Sequence, residues 1–461
     1  MKHKNIIGTV IAVLLFSTAY ATVWYVHPDS AMNCIQDCLD SCATGDTVLV
    51  GPGIYSEHIV WPNTQGIDLV SQYGIDTTFI DGGGTGRVIL INTGVDSTTI
   101  INGFTIQNGY ADFGAGIHCV DGSSPTITHD SITGNSAIVH GGGIRCTNNS
   151  SPIIANNTIC LNHADTWSGG IACNASAPFI TGNTITQNTA TDCGGIGAAF
   201  ESSPTITDNI ITDNSALNIG GGIALGYDSV ASATITGNTI RNNTASGGGG
   251  ISCIESSPTI QSCCIDSNSG GGVYCYAGAE PVINYNNIVG NIGYGVRNGV
   301  SGGTVNAEYN WWGDPSGPYH PTANPGGLGD SVTDYVDFDP WLTNPGVEEY
   351  EEAAAIVLNL EATPNPFHHY TTIRYTIHDP GYMQQKLRNS NFEMRKPTLK
   401  IYDAAGRLVR SFHHESCIMD RESVIQWDGR DYQNRRLPCG IYFVNFRAGD
   451  CSTTEKLLLI R

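Results

Sequence analysis

The stretch GGGIRCTNNSSPIIANNTICLN, residues 141–162, decides the fold because its pattern recurs along most of the chain. Between Gly114 and Asn291 the same order occurs seven times: a Gly-rich turn, Ile-x-Cys or similar, Ser-Ser-Pro-Thr-Ile or similar, a further Ile and an Asn. The first apolar position recurs at spacings of 22 to 28 residues and holds Ile117, Ile144, Ile171, Ile196, Ile223, Ile251, Val273 and Val296. Self-similarity at such a period predicts a solenoid.

Two further apolar positions keep a constant separation of five residues in every unit. The second position holds Ile127, Ile154, Ile180, Ile206, Ile235, Ile260 and Ile283, and the third holds Ile132, Ile159, Ile185, Ile211, Ile240, Ile265 and Ile288. The short β-rich stretches are separated by Gly, Pro, Asn and Ser, which predicts three strands per coil. Coils stacked at about 4.8 Å would place equivalent isoleucines in continuous internal columns.

An asparagine follows the third apolar position by three residues in each unit. The set consists of Asn135, Asn162, Asn188, Asn214, Asn243, Asn268 and Asn291. Asparagine tolerates left-handed backbone, and its amide can bond to the equivalent amide of the next coil. We therefore predict a bend at this position, with a ladder of side-chain amides.

These Gly-Gly-Gly-Ile and Ser-Ser-Pro-Thr-Ile units resemble the repeats of right-handed parallel β-helix proteins of the pectin-lyase-like superfamily. The resemblance covers roughly residues 23–342. It implies an all-β right-handed parallel β-helix, and right-handed crossovers are also the general rule for parallel strands.

The N-terminus carries the features of a secretory signal peptide at residues 1–21. Lys2 and Lys4 precede an apolar run over residues 6–16, and Ala-Tyr-Ala at 19–21 predicts cleavage after Ala21. The run is too short to span a membrane and no later segment is long enough. We expect an exported mature chain without a transmembrane segment.

A short helix is predicted directly after the signal peptide. Asp29 or Ser30 is the expected N-cap. One helix face would carry Ile35, Cys38, Leu39 and Cys42. Such a helix would act as a cap on the open end of the stack, where an apolar interior and a free strand edge are otherwise exposed.

The other end of the solenoid is marked by tryptophan-containing segments. Residues 310–318, NWWGDPSGP, and residues 336–342, VDFDPWL, resemble closing segments that follow such repeats. End-capping is the favoured interpretation, and a glycan-binding surface is the alternative. The solenoid with its caps is assigned to residues 22–345, and residues 346–355 are an acidic linker.

Charge separates two domains. Residues 22–355 contain four Arg, no Lys and 31 Asp plus Glu, so their formal charge is 4 − 31 = −27, whereas residues 356–461 carry 15 − 11 = +4. A charge of −27 repels polyanions, so nucleic acid is excluded as a partner and polygalacturonate requires bridging cations. No cofactor is required by the sequence. Calcium is an optional ligand of Asp330, Asp334, Asp337 and Asp339, against the simpler interpretation of a solvated acidic loop.

Residues 356–461 predict a small β-sandwich, because alternating strands about ten residues apart are split by turn residues. Asn365-Pro366-Phe367, residues 399–410, Trp427-Asp428-Gly429 and Gly440-Ile441-Tyr442-Phe443 closely resemble, in that order, the type IX secretion (Por) sorting domain. That domain is related to the immunoglobulin-like domain of hook-capping proteins. The resemblance implies recognition by the type IX secretion machinery and delivery outside a diderm bacterium. The long polar insert over residues 378–395 departs from the pattern.

Fifteen cysteines in an exported chain would ordinarily indicate disulfides. Cys119, Cys146, Cys173, Cys253 and Cys275 instead lie two residues after the first apolar position, with Ala198 and Leu225 at the same place in other units. Side chains in register stay about 4.8 Å apart, whereas a bridge requires Cβ atoms about 3.8 Å apart. Packed thiols are the favoured interpretation, and a linear row supplies no convergent metal site.

Enzymes of the resembling superfamily carry their chemistry on one outward strand face. The residue between the first apolar position and the cysteine is predicted to face solvent, in a row of His118, Arg145, Ala172, Gly197, Ala224, Ser252, Tyr274 and Arg297. No two carboxylates adjoin in this row, as glycoside hydrolysis would need. His118, Arg145, Tyr274 and Arg297 are therefore the candidate ligand-binding residues, and no catalytic residue is assigned.

These observations predict a secreted or cell-surface β-helix protein without catalytic activity. Its long face would bind extracellular polysaccharide or another surface component, or would be displayed toward it. The alternative is a polysaccharide lyase or glycoside hydrolase with a site assembled from loops, for instance around Asp165, Trp167 and Asp192, where the units deviate.

Overall fold

The computed structural model describes residues 21–226, 231–299, 303–346, 357–378, 398–403, 407–413, 423–432, 435–448 and 451–460. The predicted signal peptide lies outside the described residues except for Ala21, as do most of the predicted linker and of the polar insert. The chain divides into two compact units, Met1–Glu349 and Tyr350–Arg461.

The first unit is a right-handed parallel β-solenoid of about 11 turns. Its three long sheets are here named A, B and C. Sheet A contains Val23–Val26, Thr47–Val50, Asp68–Ser71, Ile100–Asn102, Thr126–Thr128, Ile153–Ala155, Phe179–Thr181, Thr205–Thr207, Thr234–Thr236, Thr259–Gln261, Val282–Asn284, Val305–Asn306 and Val336–Asp337. Sheet B contains Gly53–Tyr55, Thr78–Asp81, Thr105–Gln107, Ser131–Thr133, Thr158–Cys160, Thr184–Thr186, Ile210–Thr212, Thr239–Arg241, Cys264–Asp266 and Asn287–Val289. Sheet C contains Ile59–Val60, Ile89–Ile91, Ile117–Cys119, Ile144–Thr147, Ile171–Asn174, Ile196–Ala199, Ile223–Leu225, Ile251–Ile254, Val273–Tyr276 and Val296–Asn298.

The predicted internal columns are confirmed. In sheet A, Ile127 pairs in register with Ile154, and in sheet B Ile132 pairs with Ile159. All members of the second and third apolar positions are fully buried in one hydrophobic core. The core is continuous because each coil shares its apolar contacts with the coils above and below it, so no coil is expected to be stable alone.

The cysteine column follows the same register. Cys119 pairs with Cys146, Cys146 pairs with Cys173, and Cys253 pairs with Cys275. All five thiols are buried and free. Burial raises the pKa of Cys119 and of Cys253 to about 12, which keeps these thiols protonated and unreactive.

The predicted amide ladder is confirmed over the seven asparagines. The Nδ2 of Asn188 donates to the Oδ1 of Asn214 at 3.0 Å and to the Ile159 carbonyl at 2.8 Å, while its Oδ1 accepts from Asn162. The last rung, Asn291, donates to Asp330 Oδ2 at 2.9 Å. Every polar atom of these buried amides is therefore used, which fixes the bend.

A second ladder, which the sequence analysis did not predict, runs along the turn between sheets A and B. Its rungs are Asp130, Asn157, Asn183, Asn209, Asn238, Cys263, Asn286 and Asn310. The asparagine at this position has a regular spacing in the sequence, so the signal was present. The second ladder fixes the backbone conformation where each coil leaves sheet A.

The prediction of three strands per coil is wrong for five coils, which carry a fourth strand. Sheet D consists of Tyr110–Phe113, Ser136–His140, His163–Trp167, Thr189–Asp192 and Ser215–Ala216. It lies between sheets B and C in the chain and forms a small second core with Ala115, Ala137, Ala164 and Ala190. Segments such as Ser136–His140 lie outside the three predicted strands of each coil, although Ala137, Ile138 and Val139 are apolar.

The predicted helix is present as Ile35–Ser41, with Ile35, Cys38 and Leu39 buried. Its predicted N-cap is wrong. Cys34 occupies the N-cap position, but its side chain does not cap the helix backbone; instead the Glu57 carboxylate accepts from the backbone N–H of Ile35 at 2.8 Å. The helix end is thus satisfied by a carboxylate distant in sequence, which local pattern rules do not detect.

The second unit contains two antiparallel sheets. One sheet has the order Val357–Thr363, Thr371–His378, Ser423–Trp427, and the other has the order Leu408–His413, Thr398–Asp403, Gly440–Ala448, Cys451–Leu459. Residues of both sheets form one hydrophobic core that includes Phe367, Ile373, Ile401, Trp427 and Val444. The predicted β-rich character of this unit is confirmed.

Candidate functional site

The predicted binding row is aligned along sheet C, but most of it does not face solvent. Its residues pair in the expected order of His118, Arg145, Ala172, Gly197, Ala224, Ser252, Tyr274 and Arg297. His118, Ala172, Gly197, Ala224 and Ser252 are nevertheless buried. The expectation of an open face is therefore wrong for these five positions.

Sheet D explains the burial of the first four of these positions, since its five strands end with the coil that carries Ala224. Phe113, His140 and Trp167 are in register, and the ring centroids of successive members lie 5.7 and 5.6 Å apart. A Cβ on Gly197 would lie 2.5 Å from Trp167 Cζ2, so the indole occupies the space that a larger residue would fill. Small residues in the row therefore make room for sheet D and do not indicate an accessible surface.

Arg145 packs within this covered part of the row. Its guanidinium carbon lies 4.2 Å from the centroid of the Phe113 ring, and its Nε is buried without a hydrogen-bond partner in the described structure. Burial, together with the positive charge of Arg87, lowers the pKa of Arg145 to about 10. Arg145 thus stays charged at neutral pH and is stabilised mainly by the aromatic face.

His118 is also unsuited to direct contact with a ligand. It is 8% exposed, and neither ring nitrogen has a hydrogen-bond partner among the described residues. Burial and then the charges of Arg87 and Arg145 lower its pKa to about 3. His118 is therefore neutral at physiological pH and covered by sheet D.

Arg87 has a role that the sequence did not reveal. Its Nη2 donates to the Phe113 carbonyl at 2.7 Å and its Nε donates to the Gly114 carbonyl at 3.0 Å. Tyr110–Phe113 is the edge strand of sheet D. The guanidinium satisfies carbonyls at an edge that could otherwise pair with another chain.

The row opens at its C-terminal end. Arg297 is exposed, and its guanidinium carbon lies 5.1 Å from the ring centroid of Tyr274 and 5.8 Å from that of Tyr294. The ring of Tyr276 stacks on that of Tyr274 with centroids 5.9 Å apart and an interplanar angle of 25°. We name Tyr274, Tyr276, Tyr294 and Arg297 the tyrosine–arginine platform. It brings together two of the four predicted binding residues.

The four aspartates of the predicted calcium site serve different purposes. Asp330 accepts from Asn291 and from the backbone N–H of Gly290, and burial raises its pKa. Asp334 lies 3.2 Å from His320 Nε2, while Asp337 and Asp339 are exposed. Among the described residues no group of three or more His, Cys, Asp and Glu side chains could hold a metal ion. Calcium binding stays a prediction.

The loop residues considered for catalysis do not form an open cluster. Trp167 is buried in the core between sheets C and D, and Asp192 is buried, which raises its pKa. Asp165 is exposed and pairs with His163, with 3.0 Å between Oδ1 and Nε2. The two aspartates thus lie in different environments.

Comparison with protein families supports the solenoid. Residues 63–230 match the family described as right handed beta helix region, and residues 180–310 match the family described as periplasmic copper-binding protein (NosD). Neither the curated proteins nor the solved structures contain a match. Together with the coil architecture, the two family matches support a β-helix repeat protein; a periplasmic location is part of the description of the NosD family. No described helix is long and apolar enough to cross a membrane.

Proposed function

We propose that this chain is a secreted or cell-surface β-helix protein that binds extracellular polysaccharide through the tyrosine–arginine platform, without catalysis of its own. The observation that carries the proposal is the exposed aromatic and cationic cluster at the open end of the sheet C row. Tyr276 and Tyr294 are 46% and 39% exposed. Flat aromatic faces with a polar edge are suited to the apolar faces of sugar rings.

Arg297 adds specificity to the platform. Its planar guanidinium can donate two parallel hydrogen bonds to the carboxylate of a uronic acid, and the tyrosine rings hold it in place. The surrounding solenoid, residues 22–345, carries 4 − 27 = −23, which disfavours long polyanions. We therefore propose a polysaccharide in which charged units are sparse, or one that calcium bridges to the acidic surface.

Delivery to the cell exterior is the second part of the proposal. The signal peptide over residues 1–21 would direct export, and the second unit would serve as an immunoglobulin-like type IX sorting domain that engages the secretion machinery of a diderm bacterium. Two antiparallel sheets on a common core support this assignment. The helix Ile35–Ser41 would close the N-terminal end of the stack, since its buried face joins the core of the first coils.

A polysaccharide lyase or hydrolase remains the alternative to be tested. The copper binding named for the NosD family is not proposed here, because the described part of residues 180–310 contains no group of three metal-ligating side chains.

The test is retention of the mature chain on immobilised neutral and uronic-acid polysaccharides, with and without calcium, combined with an assay for reducing ends and unsaturated products. Tyr274→Ala and Arg297→Ala should abolish retention on the uronic-acid polysaccharides. Tyr73→Ala, which alters an exposed tyrosine elsewhere, should not. Retention on the uronic-acid polysaccharides that survives both platform substitutions, or product formation by the unaltered chain, would contradict the proposal.

A further inference from the structure

A second aromatic cluster lies at the turn between sheets A and B, away from the sheet C row. The residue directly before each rung of the second ladder occupies what we name the corner column: His129, Asn156, Gly182, Asp208, Gly237, Ser262, Tyr285 and Tyr309. All eight have positive φ, from 53° to 69°. Glycine, asparagine and aspartate are the usual residues in this conformation.

Tyr285 and Tyr309 depart from this preference on two adjacent coils. Their φ values are 61° and 56°, in a region that is unfavourable for bulky side chains. Neither ring contributes to the solenoid core, since Tyr285 is 49% and Tyr309 is 37% exposed. Packing of the fold therefore does not explain why tyrosine occupies a position that suits Asn or Gly.

The two rings form an ordered surface. Their centroids lie 5.4 Å apart with an interplanar angle of 11°, which is the parallel-displaced geometry that aromatic pairs prefer. The preceding member of the column is the small, exposed Ser262, so no larger column neighbour lies next to Tyr285 on that side. The pair thus presents a rigid aromatic surface at the corner.

The polar neighbours of the pair indicate the class of ligand. Asn284 and Glu308 precede the two tyrosines and lie on adjacent coils, with the Asn284 amide nitrogen donating to the Glu308 carbonyl at 3.1 Å when the amide is oriented to satisfy its neighbours. An amide and a carboxylate accept hydrogen bonds from sugar hydroxyls. The carboxylate would repel an anionic sugar, in contrast to Arg297 of the platform.

We propose that Tyr285 and Tyr309 form a second carbohydrate site that takes a neutral hexopyranose unit of an extended glycan. The site lies on another edge of the solenoid from the tyrosine–arginine platform and goes beyond the function proposed above. A chain with two sites of different charge preference could hold two polymers, or two regions of one polymer, at once.

The test uses the mature full chain and isothermal titration with cellohexaose, mannohexaose and maltohexaose as neutral probes. At least one probe should bind. Tyr285→Asn combined with Tyr309→Asn should weaken that binding by about tenfold or more, because two stacking contacts are lost. Asparagine suits the left-handed backbone, so the midpoint of thermal unfolding should be unchanged or higher. Tyr285→Phe combined with Tyr309→Phe keeps both rings and should largely retain binding.

Three outcomes would overturn the proposal. The first is that no neutral probe binds, and the second is that the double Asn variant still binds. The third is that the double Asn variant loses both binding and folded structure while the double Phe variant keeps its folded structure, because the two rings would then serve the fold. A galacturonate hexamer, titrated in parallel, reports on the tyrosine–arginine platform. Whether this hexamer binds tests the tyrosine–arginine platform alone, so failure of the platform and failure of the Tyr285–Tyr309 site can be distinguished.

Discussion

Replacing Asp130 by asparagine should stabilise the solenoid at neutral and alkaline pH. Asp130 is the first rung of the second ladder and is 1% exposed. Its Oδ1 accepts from the backbone N–H of Phe104 at 2.8 Å, as the Oδ1 of an asparagine rung does. Its Oδ2 is buried without a hydrogen-bond partner in the described structure. In Asn157, the next rung, the corresponding Nδ2 donates to Asn183 Oδ1 at 3.0 Å.

The magnitude follows from the pKa of this carboxyl. Burial raises the pKa of Asp130 from 3.8 to about 8, despite backbone hydrogen bonds that lower it. The folded state therefore binds the proton more tightly than the unfolded state does. The stability that the protonated carboxyl contributes is fully present below pH 4 and is lost as pH rises through 8. At about 1.4 kcal/mol per pKa unit, the loss of unfolding free energy between these pH limits is about 6 kcal/mol as an upper bound.

The assay compares urea unfolding of the mature chain and of the Asp130→Asn variant at pH 5 and at pH 8, followed by far-ultraviolet circular dichroism. Native-state hydrogen exchange of the amide of Phe104 supplies a local measure, since solenoids can unfold in parts. The free energy of unfolding of the variant should exceed that of the unaltered chain, and this excess should be larger at pH 8 than at pH 5 by several kcal/mol. Asp213→Asn, which alters an exposed aspartate, is the control. An equal difference at both pH values would refute the assignment of a protonated carboxyl to this rung.

Three further substitutions test the packing, the amide ladder and the helix cap. Gly197→Ala should lower the free energy of unfolding by about 1–3 kcal/mol because its Cβ would overlap Trp167. In thermal unfolding, the double variant with Trp167→Ala should lose less stability than the two single variants lose together. Asn188→Ala should cost about 2–4 kcal/mol and accelerate amide exchange in the flanking coils, since it leaves buried partners unpaired. Glu57→Ala should lower the free energy of unfolding by about 1 kcal/mol and increase hydrogen exchange at the Ile35 amide, whereas Glu57→Gln should lower it by less. Equal effects of the two substitutions would show that the hydrogen bond from Glu57 contributes little.

The sequence predicts the solenoid well because its interior is a one-dimensional repeat. Once Ile127 and Ile154 are known to be equivalent, parallel pairing determines the register of every other coil. The amide ladder was predictable for the same reason. The position of sheet D was not, because a strand as short as Ser136–His140 cannot be distinguished from a connecting segment by its pattern alone and is stabilised by contact with its neighbours.

The candidate site shows the limit of the same reasoning. Strand alternation correctly placed Ala172 and Gly197 on the outer side of sheet C, but alternation does not reveal whether another element covers that side. The row was expected to face solvent from its position in the strand, whereas Trp167 packs on its small side chains. Only the end of the row at Arg297, beyond sheet D, keeps the predicted exposure.

The ladders also explain how the corner column can hold tyrosine. Asn286 directly follows Tyr285, and its Nδ2 donates to the carbonyls of Ile260 and Asn284 at 2.9 and 3.1 Å. Its backbone N–H donates to Asn310 Oδ1 at 2.9 Å. These bonds determine the backbone at the corner from the buried side, so the preceding side chain has little influence on the conformation. The local cost of a bulky left-handed residue, about 1–3 kcal/mol, is then offset by the shared stability of the stack. Surface residues of the corner are thereby free to vary for binding while the fold stays the same.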